Sequence, residues 1–260
     1  MPATDPTPNP APHTIATLLL AAGRGERMRP LTDHCPKPLL PVRGKPLLQW
    51  RMEALLRGGF QRAVINTDWL GAQIEACFGD SFVPGAPPGL QLQYSREGQD
   101  FGGALETAGG VSRALGLLGE AFWVMAGDVF APDFVCAAQD VQRFLDSGML
   151  AHLWLVPNPE HNPAGDFGLD AERGLALNLP KDGAQPRYTF STIGLYRRAL
   201  FLPPWCALPP GNPQGQRAAL APLLRAAMDQ QRVSAQLYTG AWTDVGTPAR
   251  LAALNADAAA

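Results

Sequence analysis

The sequence predicts an α/β fold: a Rossmann-like, mixed but mainly parallel sheet flanked by helices, with a small antiparallel lobe added late in the chain. Three observations carry this. Short apolar runs alternate with amphipathic stretches up to Pro157, the pattern of repeated strand–helix–strand units. The first apolar run ends in a glycine-rich turn, Gly23 and Gly25, where open α/β sheets place their ligands. Beyond Pro157 the runs are joined by glycine turns instead of helices.

The first expected strand lies within Thr14–Ala22, and Leu47–Arg57 follows as a helix. RAVIN (Arg62–Asn66) is a strand, Leu70–Phe78 a helix, and LQLQYS (Leu90–Ser95) a strand. Glu106–Leu118 is helix-like, AFWVMAG (Ala121–Gly127) a strand, Phe134–Asp146 a helix and AHLWLV (Ala151–Val156) a strand. Then GDFGLD (Gly165–Asp170), GLALNL (Gly174–Leu179) and YTFSTIGLYR (Tyr188–Arg197) read as antiparallel strands. A proline-rich loop, Leu202–Pro213, precedes a helix over Ala218–Gln231 and a strand over Val233–Tyr238. AWTDVGTP (Ala241–Pro248) closes the pattern, with Thr247 as an N-cap and Pro248 at the first helical position.

The 46% hydrophobic content of the 260 residues is enough for one sizeable core. We expect a flexible proline-rich tail over residues 1–13 and a single domain over residues 14–260. Within it, about residues 14–157 form the core and about residues 158–260 the added lobe and closing elements. A net charge of −2 argues against nucleic acid as a partner. No apolar run approaches the ~20 residues of a membrane span, and the first sixteen residues lack the pattern of a signal peptide. The four cysteines are far apart with no CxxC pair, which suits a reducing cytoplasm. Trp50, Trp69, Trp123 and Trp154 read as core, and nothing suggests an assembly larger than a monomer.

Three constellations could do chemistry. Gly23 and Gly25 form a turn whose backbone N–H groups could cradle an anion. Arg27, Arg29 and Lys37 supply the charge to hold a polyphosphate there. The loop lacks both the third glycine of a dinucleotide fingerprint and the GK[ST] end of a Walker A loop; a plain surface turn with solvated cations is the competing reading. Asp128 ends an apolar strand, where a hard oxygen ligand suits Mg2+; a turn or helix-capping aspartate is the alternative. Asp244 has a similar setting and, with Thr247 serving as the cap, is free to share that metal. Glu106, Gly109 and Gly110 could approach a nucleobase or sugar, or simply begin a helix. Asn158 and Asp166 are polar groups following a strand, where a sugar could be read.

Taken together, these residues resemble the sugar-1-phosphate nucleotidyltransferases. The resemblance rests on LAAGRGERMRPLTDHCPKPLLPVRGKPL at Leu20–Leu47, on Gly127–Asp128, and on WTDVGT at Trp242–Thr247. Within that family the chain is most similar to the N-acetylmuramate-1-phosphate uridylyltransferases of peptidoglycan recycling, through VINTDWLGAQIEACFGD, ALETAGGV, GDFGL and TFSTIGLY. Mannose-1-phosphate guanylyltransferases and glucose-1-phosphate thymidylyltransferases are the alternatives, and a non-catalytic nucleotide-sugar sensor is a third.

The resemblance implies the nucleotidyltransferase fold, with the late antiparallel strands as a sugar-binding lobe. It implies Gly25, Glu26 and Arg27 around the triphosphate, Lys37 on the phosphates of both substrates, and Asp128 and Asp244 on Mg2+. Arg27, Lys37 and Asp128 would carry the catalysis, with Ala22, Gly23 and Gly109 beside the nucleotide. Glu106, Gly110, Asn158, Asp166 and Lys181 would line the sugar site. Two departures from the family pattern stand out. Gln99–Gly103 (QDFGG) looks like an insertion beside the nucleobase loop, and LNLPKDG (Leu177–Gly183), which carries Lys181, only loosely echoes the usual EKP-type sugar segment.

Overall fold

The computed structural model describes residues 11–85 and 87–256. Of the expected tail, residues 1–10 lie outside the described residues. Pro12–Thr14 form one 3-10 turn, with the His13 ring 6.0 Å from that of Phe60.

Strand β1 (Ala16–Leu20) leads into the glycine loop, a short hairpin of β2 (Pro41–Val42) and β3 (Lys45–Pro46), and helix α1 (Leu47–Arg57). There follow β4 (Arg62–Thr67), α2 (Gly71–Phe78), β5 (Ser81–Phe82), β6 (Leu90–Arg96), α3 (Glu97–Phe101) and α4 (Glu106–Ala114). Next come β7 (Ala121–Ala126), β8 (Val129–Phe130), α5 (Ala138–Ser147) and β9 (Ala151–Val156). The last stretch holds β10 (Phe167–Asp170), β11 (Leu175–Leu177), β12 (Arg187–Arg197), α6 (Leu220–Asp229), β13 (Val233–Leu237), β14 (Thr243–Asp244) and α7 (Pro248–Ala256).

Ten strands form one sheet in the order β10-β11-β13-β9-β12-β7-β1-β4-β6-β5. β1 pairs parallel with both β4 and β7, and β4 parallel with β6. β12 lies antiparallel between β7 and β9, so the late strands extend the same sheet. Alternation along β1 explains its unbroken apolar run. Leu18 packs into the core on one face with Val64, Val124 and α4. Leu19 packs on the other with Ile65, Trp123 and α1. Parallel strands covered on both faces need apolar residues at every position.

Several element ends differ from the sequence reading, each for a local reason. Helix α5 starts at Ala138, because Phe134 is held in a turn between the rings of Trp123 and Trp154. Helix α6 starts at Leu220 because the backbone of Ala218 is bonded to Leu105 and Ala108 at the start of α4. Trp123 and Trp154 are core. Trp50 is half-buried with its ring edge-on to Phe130, and Trp69 is half-buried beneath the Arg24 guanidinium, 3.7 Å from its centroid. Among the described residues no helix is long and apolar enough to cross a membrane.

His152 on β9 sits 2.9 Å from Ser234 Oγ and edge-on to Trp154. Burial, with a smaller push from Arg143, lowers its pKa from 6.5 to about 4. The unfolded chain therefore holds more protons than the folded one between those values. Stability is expected to fall by at most about 3 kcal/mol as pH drops from 6.5 to 4. Urea unfolding of the wild type and His152→Gln at pH 7.5 and 4.5 checks this; equal losses in both would remove His152 as the cause.

Candidate active site

Leu20, Asn66 and Ala126, at the carboxyl ends of β1, β4 and β7, floor a cleft of about 640 Å³. This is the expected ligand edge of an open α/β sheet, where the strand order reverses about β1. Ala22, Gly23, Glu106 and Asp128 line the cleft from the first half of the chain. Asp166, Phe190, Thr192 and Arg225 line it from the second. The β12 register shifts between Phe190 and Gly194, with Thr192 at φ 62°. A bulge there re-aims side chains that would otherwise lie in the sheet.

The glycine loop is braced from within. Gly25 adopts φ 67°, its carbonyl accepts Thr32 Oγ1 at 2.8 Å, and Met28 is fully buried beneath the loop. Arg24, which the sequence did not single out, donates to the Thr32 carbonyl at 2.9 Å and lies 3.3 Å from Asp33. Arg29 also pairs with Asp33, at 2.7 Å. Arg27 is exposed and makes no hydrogen bond or ion pair among the described residues. Of the three arginines it is the one left to meet an incoming anion.

An added Cβ at Gly25 would lie 3.1 Å from Thr32 Cγ2 and 3.3 Å from Lys37 Cβ. Gly25→Ala is therefore expected to destabilise the fold by roughly 1–2 kcal/mol through its left-handed backbone. It should also raise the KM for nucleotide by displacing Lys37. Thermal unfolding with initial-rate kinetics checks this, and unchanged values of both would remove the constraint.

Lys37 enters the site almost wholly buried and places Nζ 2.6 Å from Asp128 Oδ2. Asp128 itself is 43% exposed at the cleft. It precedes β8, which pairs antiparallel with β14, setting Asp244 opposite Val129; Val245 N donates to Asp128 O at 2.9 Å. Asp128 thus stands just outside the ribbon that carries Asp244. Beneath them Met28, Val42, Phe130, Val245 and Leu251 share a small core that ties the glycine loop to the closing segment. Arg51 of α1, fully buried, donates to Val129 O at 2.8 Å and fixes β8 from below. Its pKa falls to about 10, chiefly through burial.

Asp244 pairs with Arg250 and lies 3.3 Å from His161 Nε2. Thr247 Oγ1 accepts from Arg250 N at 3.4 Å, as a cap of α7 does. Burial, then Arg250, then Arg27 lower the pKa of His161, which places Arg27 near this corner. Among the described residues no cluster of three His, Cys, Asp or Glu could hold a metal alone. Asp128, just before β8, and Asp244 on β14 are the two carboxylates here that could share an ion needing further oxygen ligands from elsewhere. Mg2+ is such an ion.

The sequence reading also missed the brace under the cleft floor. Asn66 Oδ1 accepts Ala21 N at 2.7 Å, and Asn66 Nδ2 donates to Glu97 Oε1 at 2.7 Å. Glu97 Oε2 accepts Leu105 N at 2.8 Å, and burial raises the Glu97 pKa. This explains Gly110, where a Cβ would lie 2.5 Å from Glu97 Oε1. At Gly109 a Cβ would lie 2.7 Å from the Gln216 carbonyl. Both glycines serve helix packing and neither lines the cleft.

Other expected site residues are placed unevenly. Glu106 faces the cleft in a left-handed conformation, φ 60°, with Arg217 at 3.8 Å. Asp166 lines the cleft while its Oδ2 accepts Phe190 N at 2.8 Å. Asn158 is spent on structure: it donates to the Pro163 and Arg187 carbonyls and accepts Thr189 Oγ1. Lys181 stands on an exposed turn away from the cleft lining. In the Gln99–Gly103 segment, α3 ends at Phe101 and Asp100 is bonded to Arg113 at 2.7 Å.

The nucleotidyl transferase family model matches residues 16–169, which span β1 to β10. An N-acetylmuramate alpha-1-phosphate uridylyltransferase of Neisseria meningitidis is 47% identical over 91% of this chain and 95% of its own. One from Caulobacter vibrioides is 30% identical over 91% and 94%. A mannose-1-phosphate guanylyltransferase of Mycobacterium tuberculosis is 27% identical over 92% of this chain and 63% of its own. In fold, the chain matches a putative glucose-1-phosphate thymidylyltransferase from Bacillus anthracis with a TM-score of 0.74 and 20% identity, over 94% of each chain. This chain belongs to the nucleotidyl transferase family.

Proposed function

We propose that this chain transfers a uridylyl group from UTP to N-acetylmuramate 1-phosphate, releasing pyrophosphate, as a step of peptidoglycan recycling. The observation that carries the reading is the Lys37–Asp128 pair, whose aspartate lines the cleft with Ala22 and Gly23 of the glycine loop, while Asp244 stands on the strand paired beside it. The choice of base and sugar follows the near full-length likeness to the Neisseria relative.

A sugar phosphate is already an anion at neutral pH, so the reaction needs no protein nucleophile and no strong base. Its oxygen attacks the α-phosphorus in line, one P–O bond forms, and the bond to the pyrophosphate oxygen breaks. The protein supplies position and charge. The loop N–H groups and Arg27 hold the triphosphate and meet the charge that develops as pyrophosphate leaves. Lys37 turns from Asp128 toward the phosphates and brings the two reactants together against their repulsion. Asp128 and Asp244 would hold Mg2+, which when bound neutralises phosphate oxygens and favours the leaving group. The buried Asn66–Glu97 brace keeps the cleft floor rigid during this step.

The four cysteines are free thiols, which suits the reducing cytoplasm in which we place the enzyme; we take the monomer as the working unit. A pyrophosphate-release screen of four nucleoside triphosphates against a panel of sugar 1-phosphates tests the reading. Turnover highest for UTP with N-acetylmuramate 1-phosphate supports it. Preference for GTP with mannose 1-phosphate, or no turnover with any pair, would overturn it.

A further inference from the structure

Among the residues that line the cleft, Arg225 is the one lysine or arginine. It stands on α6, outside the elements that form the glycine loop, and no carboxylate among the described residues pairs with it. Its partners are neutral: Asn178 Oδ1 at 2.7 Å from Nη1 and the Asp166 carbonyl at 3.3 Å from Nη2. The guanidinium also lies 5.0 Å from the centroid of the Phe167 ring. These contacts fix its position while leaving its charge uncompensated and some of its five donors unused.

The surroundings are chemically specific. Phe167, Phe190, Leu220 and Leu224 make this part of the cleft apolar. The carboxylate of Asp166, nearby in the lining, has one oxygen occupied by Phe190 N and by Asn162 Nδ2 at 3.3 Å. An uncompensated cation on an apolar wall suits a ligand that presents a carboxylate beside methyl groups. A neutral sugar carries no such group, whereas a sugar bearing a lactyl ether carries a carboxylate and a methyl together.

We propose that Arg225 is a specificity-determining residue that reads the carboxylate side arm of an acidic sugar phosphate. The assignment rests on the uridylyltransferase reading above and deepens it, since it names the group by which N-acetylmuramate 1-phosphate would be told from N-acetylglucosamine 1-phosphate. A charge-assisted, forked contact of this kind is lost when the charge is removed.

The test measures kcat/KM with UTP for both sugar phosphates in the wild type and in Arg225→Met, which keeps apolar contact with Phe167. The variant should lose roughly 10- to 100-fold on the muramate, the range of a charge-assisted hydrogen bond, and change little on the glucosamine compound. Should Arg225→Met fold poorly, the wild type is assayed with N-acetylmuramate 1-phosphate amidated at the lactyl carboxylate. A similar loss supports the assignment. Equal losses on both sugars in the variant, or full activity of the wild type on the amide, would overturn it while leaving the uridylyltransferase reading intact. A wild type that ignores N-acetylmuramate 1-phosphate overturns that reading and this assignment together.

Discussion

Replacing Asp128 by asparagine is expected to slow pyrophosphate release by about 10³-fold or more, the scale of removing a main electrostatic stabiliser, with the fold intact. Asp128 meets the cleft with 43% of its side chain exposed, and among the described residues its one side-chain partner is Lys37. Asparagine has the same shape and retains a carbonyl oxygen for Lys37 Nζ. The backbone bond from Val245 N to the Asp128 carbonyl is untouched, so β8 and β14 stay paired. What is lost is the negative charge. The unfolding midpoint should therefore change by no more than ~1–2 kcal/mol equivalent, the cost of leaving Lys37 without its counter-ion. Pyrophosphate release, UTP affinity and thermal unfolding measured on one preparation separate the cases. Near-normal release would take Asp128 out of the reaction centre, and a collapsed midpoint would show a structural residue.

How much of this site was legible follows from the kind of signal each residue leaves. Asp128 and the glycine loop were readable because an apolar strand ending in glycine and a carboxylate is a local pattern, and parallel sheets place such ends together. The parallel core was legible for the same reason. Arg250 and His161 left no such trace. They meet Asp244 because the chain folds α7 and the loop after β9 against the β8–β14 ribbon, a contact between segments about ninety residues apart. Glu97 likewise left no local trace, because Asn66 and Leu105 enclose its carboxylate only in the fold.

Gly109 and Gly110 show the reverse. A glycine pair beside a glutamate has the look of a ligand loop. The requirement is steric, however: α4 must approach the Gln216 carbonyl and the Glu97 carboxylate closely. Sequence reveals that a small residue is needed without showing what fills the space. Asn158 was misplaced for a related reason, because a polar residue after a strand serves equally to bind a ligand or to satisfy loop carbonyls. Arg225 escaped notice because one arginine on an amphipathic helix is ordinary, and only the absence of other cations around it in the cleft makes it distinctive.

Lys37→Ala should lower kcat by about 10²-fold and raise the KM for the sugar phosphate about 10-fold, within the range seen when one phosphate-clamping charge is removed. The side chain is held straight by burial, only 10% exposed, with Nζ against Asp128. In the proposed mechanism, truncation removes the cation that opposes repulsion between the two phosphate-bearing reactants, so binding and chemistry suffer together. Stability should change little, because the Asp128 carboxylate left behind is well solvated. The pairing makes a stronger test possible. If Lys37 and Asp128 act as one unit, the double variant Lys37→Ala/Asp128→Asn loses little more than Asp128→Asn alone. Independent actions would multiply the two losses instead. Initial-rate kinetics on the four proteins of that cycle decide between them, and an unchanged kcat/KM in Lys37→Ala would remove Lys37 from the site.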